Sequence, residues 1–523
     1  MVLPSLPERY NASLLIDRNL EKGRGDRIAI LWEDERISYQ ALFDRVCRTA
    51  KALAALGVGP EDRVLMVLDD RPAFPALFLG AIRLGAVPVP VNPLYDPEDY
   101  RYFVEDSEAR FMVVDPARAQ KVREGLGDPA PSLKLMTTGD EVEGIENLDT
   151  WVEAESGELS PADTHRDDMA FWLYSSGSTG RPKGVVHLQH DILFTCETYA
   201  RHVLGITQDD ITFSSTKLFH AYGLGNNMSF PYWAGATTAL LSGRPAPQAL
   251  FDTIEARRPT LFFCVPTLYN AMLNLEEAGT RDLSSVRACI SAAEPLPPEV
   301  WNRWRREFGL TILDGIGSTE MLHIYCSNTL EDAVPGSSGR PVPGYEMRVL
   351  AENGDRVADG EAGNLWVRGD SCFDRYWNKP EKTEASLEEG WFFSGDRYRR
   401  DADGYFHYEG RADDMFKVSG LWVSPIEVEN ALMEHPAVAE AAVVAAQAEG
   451  FTHAKAFVVA RDPSAAGDSL KQELYAFCEG KLHRYEQPRF IELVEDLPHT
   501  LTGKVQRYKL REGQANAGPR VDV

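Results

Sequence analysis

The stretch Tyr174-Ser-Ser-Gly-Ser-Thr-Gly-Arg-Pro-Lys-Gly-Val-Val-His187 decides how the rest of this chain is read. Three glycines, Gly177, Gly180 and Gly184, let a backbone approach a ligand closely. The hydroxyls of Ser175, Ser176, Ser178 and Thr179, with the backbone N–H groups between them, offer donors to phosphate oxygens. Arg181 and Lys183 add charge. The apolar run Ala170-Phe-Trp-Leu173 leads in as a buried strand and Val185-Val186 leads out, whereas a plain Gly/Ser linker is rarely flanked by strands on both sides. A Walker-type loop needs Gly-Lys-Ser/Thr opening a helix. Here Lys183 follows Pro182 and precedes Gly184, so the loop is a phosphate cradle of another kind.

Working outward, the chain has 523 residues, 44% of them apolar and 26% charged, the composition of a globular protein with several large cores. A net charge of −26 argues against nucleic acid and anionic membrane as partners, and any nucleotide must find its cations concentrated locally. Seven scattered cysteines without a CxxC pair, no signal-peptide pattern and no run of 18 apolar residues point to a cytoplasmic chain without a membrane span.

Residues 28–170 alternate strand-like and helix-like segments. Ser38 caps a helix with the apolar face Leu42, Val46, Ala50 and Leu53. Val64–Leu68, Ala86–Val91 and Phe111–Val114 read as strands, with a helix over about 74–84 ended by Gly85. Pro88 and Pro90 put their strand at an edge or end. The rhythm predicts an α/β fold: a large N-terminal domain over 1–412 with layered, largely parallel sheets. Leu261–Val265 and Val286–Ile290 continue the pattern. Ligands bind at the carboxyl ends of such strands. The following segments are therefore candidate site loops: Pro266-Thr267, Ser291-Ala-Ala293-Glu294-Pro295 and Asp314-Gly315-Ile316-Gly317-Ser-Thr319-Glu320. Turn signals over about 345–412 predict a small β-rich subdomain. From Asp413 to 523 the pattern becomes a small α+β domain, with helices over 426–434 and 470–482 and strands near 441–445 and 454–459.

Three further strings could carry chemistry. Thr319-Glu320 after a glycine turn offers a hydroxyl and a hard carboxylate suited to Mg²⁺, although Thr-Glu alone also opens helices. Asp396 in Phe393-Ser-Gly-Asp396 could accept two ribose hydroxyls or be a turn aspartate at the surface. Lys504 in Thr-Gly-Lys504 is by itself a solvated lysine.

Taken together, in order and spacing, these strings resemble the adenylate-forming superfamily of acyl-CoA synthetases, luciferases and peptide-synthetase adenylation domains, over roughly residues 30–510. The resemblance implies a two-step reaction with ATP, Mg²⁺ and coenzyme A. An acid attacks the α-phosphate to give acyl-AMP and pyrophosphate. The C-terminal domain then rotates about Asp413, and the CoA thiol takes the acyl group. It implies that residues 175–180 and Lys183 hold phosphates, and that Thr319 contacts the α-phosphate while Glu320 holds Mg²⁺. Ala293, Glu294, Pro295, Asp314, Gly315 and Ile316 would line the nucleotide site. Asp396 and Arg411 would take the ribose. Lys504 would be the catalytic lysine of the first step, and Lys417, Ser419 and Gly420 would face the site in the second.

The acid pocket narrows the resemblance. Phe219-His-Ala-Tyr-Gly-Leu-Gly225-Asn and Gly317-Ser-Thr-Glu-Met-Leu-His-Ile324 are similar to aryl-CoA ligases of the benzoate type. No aspartate stands in the first segment to pair with an α-amine. Ala221, Tyr222, Gly317 and Ile324 would form a flat apolar slot for a small aromatic carboxylic acid, with His323 either in the slot or in plain core packing. Two departures stand out: His220 replaces an expected phenylalanine, and Tyr325-Cys326 replaces Phe-Leu. His220 could gate the pocket or read a ring hydroxyl or amine. Benzoate, hydroxybenzoate, aminobenzoate or another small cyclic acid all remain open. So do a carrier-protein-loading adenylation enzyme and a monomeric or homodimeric state.

Overall fold

The computed structural model describes residues 6–127, 133–175, 181–412, 414–418, 421–448, 451–499 and 505–515. Asp413 lies outside them, as do Ser176–Gly180, Ser419–Gly420 and Lys504.

Among the described residues the largest sheet has nine strands. Its centre is parallel: Ile312–Gly317, Ala288–Ser291, Leu261–Cys264, Ile211–Ser214, Thr237–Leu240 and Ile28–Trp32. Antiparallel strands close both ends. A second sheet of five strands is parallel throughout. Its edge is Val87–Pro90, where Pro88 and Pro90 cost no ladder hydrogen bond on the open side. Helix Tyr39–Ala55 starts as its sequence predicts: Ser38 Oγ accepts from the Ala41 N–H at 3.2 Å, and Leu42, Val46, Ala50 and Leu53 are all buried. Helix Ala73–Leu84 ends on Gly85 at φ 84°, a left-handed cap that suits glycine.

The phosphate-loop segment bridges an antiparallel hairpin, Met169–Ser175 with Lys183–Leu188, whose third strand is Arg375–Tyr376. Ser175 faces Lys183 in the register, so the loop's two feet are neighbours. Trp172 is fully buried in this hairpin and stacks near Trp377.

Two predicted loops are regular structure instead. Pro266-Thr267 opens helix Pro266–Leu273, where proline at the first turn lacks only an N–H that no helix would use. Asp314–Gly317 is strand, pairing with Ile324–Ser327 through a register shift after Ile316. The glycines that look like a turn in sequence are needed because the facing strand comes so close: a Cβ on Gly317 would lie 2.5 Å from the His323 carbonyl oxygen.

Residues 346–411 form another five-stranded sheet, this one antiparallel. Beyond it, Val438–Ala448, Phe451–Ala460 and Phe490–Val494 make a three-stranded sheet. Helices Pro425–Met433 and Asp468–Glu479 pack on it around a core that includes Val428, Leu432, Val443, Val458 and Leu474. No helix among the described residues is long and apolar enough to cross a membrane.

Candidate active site

Thr319–Met321 is a short 3₁₀ turn at the end of the strand Ile312–Gly317, capped by Ser318 Oγ, which accepts from the Met321 N–H at 3.2 Å. Other groups clamp the turn from several sides. His187 Nε2 donates to the Thr319 carbonyl at 2.8 Å, and its Nδ1 bonds Asp191 at 2.7 Å, both side chains fully buried. The Phe373 N–H donates to the Glu320 carbonyl at 2.7 Å, and Ser371 Oγ to the Met321 carbonyl at 2.9 Å. On the Glu320 carboxylate, Oε1 accepts from the Tyr376 hydroxyl at 2.8 Å and from Ser175 Oγ at 3.3 Å. The other oxygen has no protein partner among the described residues. The ammonium of Lys183 lies 3.9 Å from the centre of the Tyr376 ring. Burial lowers the Lys183 pKa, and Glu320 opposes that shift while Lys382 and Arg411 add to it.

The strands Trp391–Arg400 and Phe406–Arg411 bring Asp396 and Arg411 opposite each other, and Arg411 Nη1 bonds Asp396 Oδ1 at 3.0 Å and the Ser394 carbonyl at 3.1 Å. Gly395 makes this possible: its φ is 73° and a Cβ there would meet Arg411 Nη2 at 2.6 Å. Ala293, in the segment after strand Ala288–Ser291, is exposed and holds φ 77°, a strained conformation for alanine of the kind concentrated at ligand sites. Its neighbour Glu294 accepts from the Thr267 N–H at 3.1 Å and also from the Thr267 hydroxyl. Pro295 is exposed beside them. Asp314 is buried, and burial pushes its carboxyl well above the usual range. Gly315 and Ile316 follow it in the strand.

Several residues expected to line the acid slot lie together. His323 Nε2 lies 3.3 Å from the Tyr222 carbonyl and 3.1 Å from Asn226 Oδ1, and its ring packs among Tyr199, Tyr222 and Phe230. The Tyr222 carbonyl can only accept, so Nε2 carries the hydrogen. Burial drives the His323 pKa down to about 3, so the ring is neutral. The Tyr222 hydroxyl is spent on the Ile290 carbonyl at 3.2 Å. Ala221 and Ile324 are buried beside these rings, and His220 sits half-buried against Phe219 at 4.5 Å. Sequence reasoning did not find the π-helical segment Gly225–Ser229 within this run. Such bulges recur at functional sites. Here the wide turn and the bare Gly225 admit His323, whose ring would lie 2.3 Å from a Cβ on that glycine.

His187, Asp191 and Tyr376 were also missed. The signal was present for His187, which ends the phosphate-loop string, but its partner Thr319 lies 132 residues away. Lys417 is exposed on the strand Phe416–Val418. Lys504 is outside the described residues; the bridge between His499 and Val505 and the Gln506 N–H to Pro498 carbonyl bond at 2.7 Å bracket it. Glu440, which pairs with His499 at 3.5 Å, approaches the large domain. Burial raises the Glu440 carboxyl, His499 opposes, and Asp496 and the facing Glu294 push it further up.

A cation and a carboxylate held apart beside the glycine-rich hairpin, a carboxylate–guanidinium pair and a neutral aromatic slot suit a nucleotide joined to an aromatic acid. Comparison with known proteins agrees. Residues 16–377 match the family described as AMP-binding enzyme, and residues 427–504 match the AMP-binding enzyme C-terminal domain. The chain is 46% identical over 510 residues to a benzoate–CoA ligase of Thauera aromatica, covering 97% of this chain and 96% of that protein. A benzoate CoA ligase from Burkholderia xenovorans LB400 superposes with a TM-score of 0.89 at 41% identity, covering 96% of this chain and 99% of the other. An anthranilate CoA ligase solved in complex with anthranoyl-AMP gives a TM-score of 0.93 at 37% identity, covering 98% of both chains.

Proposed function

This chain belongs to the AMP-binding enzyme family, and on that premise we propose that it joins an aromatic carboxylate, benzoate or a ring-substituted benzoate, to coenzyme A. ATP is split to AMP and pyrophosphate in the process. The observation that carries the choice of acid is the neutral slot, where Tyr222 has its hydroxyl occupied and His323 is held uncharged by burial. A slot without an ionised wall accepts an apolar ring and gives an α-amine nothing to pair with.

In the first step a carboxylate oxygen bonds to the α-phosphorus and pyrophosphate leaves. Lys183 and the residues 175–180 take the phosphates, and Thr319 takes the α-phosphate. Asp396 and Arg411 take the ribose. Ala293, Glu294, Pro295 and the strand Asp314–Ile316 line the base. Lys504 supplies the cation between carboxylate and phosphate, where it offsets the repulsion of two anions and stabilises charge on the phosphoryl oxygens. In the second step the CoA sulfur attacks the acyl carbon and AMP leaves, with Lys417, Ser419 and Gly420 facing the site after rotation about Asp413.

Glu320 fits Mg²⁺: one carboxylate oxygen is anchored and the other is open to a hard cation shared with phosphate. When bound, the ion would neutralise charge on the departing pyrophosphate.

A panel of benzoate, hydroxybenzoates, aminobenzoates and cyclohexanecarboxylate, scored by AMP formation with CoA present, tests the reading. Benzoate-type rings are expected to lead the panel. Acyl-AMP release without thioester would favour loading of a carrier protein instead. Lys504→Ala is expected to cut pyrophosphate exchange about a hundredfold or more; unchanged exchange would sink the assignment.

A further inference from the structure

Lys183 and Glu320 are opposite charges in a half-buried site, within electrostatic reach of each other, yet no ion pair joins them. One ring stands between. The Tyr376 face holds the ammonium at 3.9 Å from its centre, and the Tyr376 hydroxyl donates to Glu320 Oε1 at 2.8 Å. The ring is itself fixed. It is 3% exposed, its backbone N–H bonds Thr383 Oγ1 at 3.0 Å, and it packs on Phe373 at 4.6 Å. Its strand pairs with the strand carrying Lys183, with Tyr376 opposite Val185. The segment that holds Phe373 also holds the Glu320 backbone.

We infer that Tyr376 is a positioning residue, an aromatic spacer that keeps the Lys183 ammonium and the Glu320 carboxylate from pairing with each other, so that the ammonium stays open to the phosphates of the nucleotide. A cation on a ring face and an anion on a phenol hydroxyl are each satisfied without being neutralised. Direct pairing would satisfy both more strongly and would have to be broken each time phosphate arrived. The inference rests on the assignment of Lys183 to phosphate made above.

Titration calorimetry with ATP in EDTA, on the whole chain without metal, separates the possibilities. Tyr376→Leu removes both contacts and is expected to weaken ATP binding about tenfold, and Tyr376→Phe, which keeps the ring face, about threefold. Glu320→Gln removes the competing anion. Its gain in ATP affinity is expected to be several-fold larger in the Tyr376→Leu or Tyr376→Phe background than in the wild type, a coupling that general loosening of the fold would not produce. Thermal melts identify a variant that fails to fold, and Tyr376→Phe carries the cycle if the leucine variant does. Equal gains in both backgrounds, or wild-type affinity in both tyrosine variants, overturn the spacer alone, provided Lys183→Ala still weakens binding. If Lys183→Ala binds ATP as the wild type does, the phosphate-site assignment falls and the spacer with it.

Discussion

His187 shows what a single residue does here that no string of letters announces. It stands between a carboxylate and the backbone of the Thr319 turn, at 2.7 and 2.8 Å, with no exposure. His187→Leu leaves Asp191 buried without its imidazole and Thr319 without its clamp. A loss of about 2–3 kcal/mol in denaturant unfolding is expected, together with slower pyrophosphate exchange. His187→Gln can still donate to Thr319 and should recover part of both; if it recovers neither, the clamp is not what matters. Lys183, Thr319 and Glu320 were legible because each sits in a contiguous string whose residue types fit phosphate and metal. His187 and Tyr376 were not, because their partners lie 132 and 56 residues away and only the fold brings them in. The sequence placed His323 either in the slot or in core packing and gave no sign of its charge. Its pKa falls from 6.5 to about 3 on burial. Between those values the unfolded chain binds a proton that the folded chain does not, so acidification destabilises, by about 1.4 kcal/mol per pH unit. The contribution is whole above about pH 6.5 and is lost as the pH falls towards 3. Urea unfolding at several pH values should show a shallower acid slope in His323→Leu; identical slopes would refute a neutral buried ring.

At the level of elements, hydrophobic period and caps were enough to place the parallel strands and the helix after Ser38, since these depend on neighbours in the chain. The misread segments depend on something else. Asp314–Gly317 looks like a glycine turn and is a strand because the strand Ile324–Ser327 lies against it. Pro266-Thr267 looks like a loop and starts a helix because proline costs nothing there. The π-helical run Gly225–Ser229 has no propensity signal at all; it exists where His323 presses on Gly225. The hairpin of Asp396 and Arg411 carries a sharper test. Gly395 is left-handed and its missing Cβ makes room for the guanidinium. Gly395→Ala is expected to cost about 1–2 kcal/mol of stability from backbone strain. Displacing Arg411 from Asp396 should also weaken AMP binding about tenfold, read by calorimetry. If AMP binds as tightly as before, this pair is not part of the nucleotide site.

Across the whole molecule, a chain of net charge −26 gathers Lys379, Lys382 and Arg411 within electrostatic reach of Lys183. The same scale holds the relation between the large domain and the C-terminal unit, which sequence could divide but not arrange. Asn270 Nδ2 donates to the Ala439 carbonyl at 3.1 Å, and Arg461 reaches Asn274. These contacts hold the C-terminal unit where Glu440 meets the field of Glu294. If this arrangement is the one that activates the acid, loosening it must slow the first half-reaction selectively. The double substitution Asn270→Ala and Arg461→Ala removes about 1 kcal/mol of partly exposed contact, a change of roughly fivefold. Pyrophosphate exchange is therefore expected to fall about fivefold. Consumption of pre-formed aryl-AMP by CoA should be unchanged or faster, because the rotated arrangement no longer competes with these bonds. An equal fall in both half-reactions would mean that the contacts merely stabilise the chain, and that the arrangement seen here is not tied to acid activation.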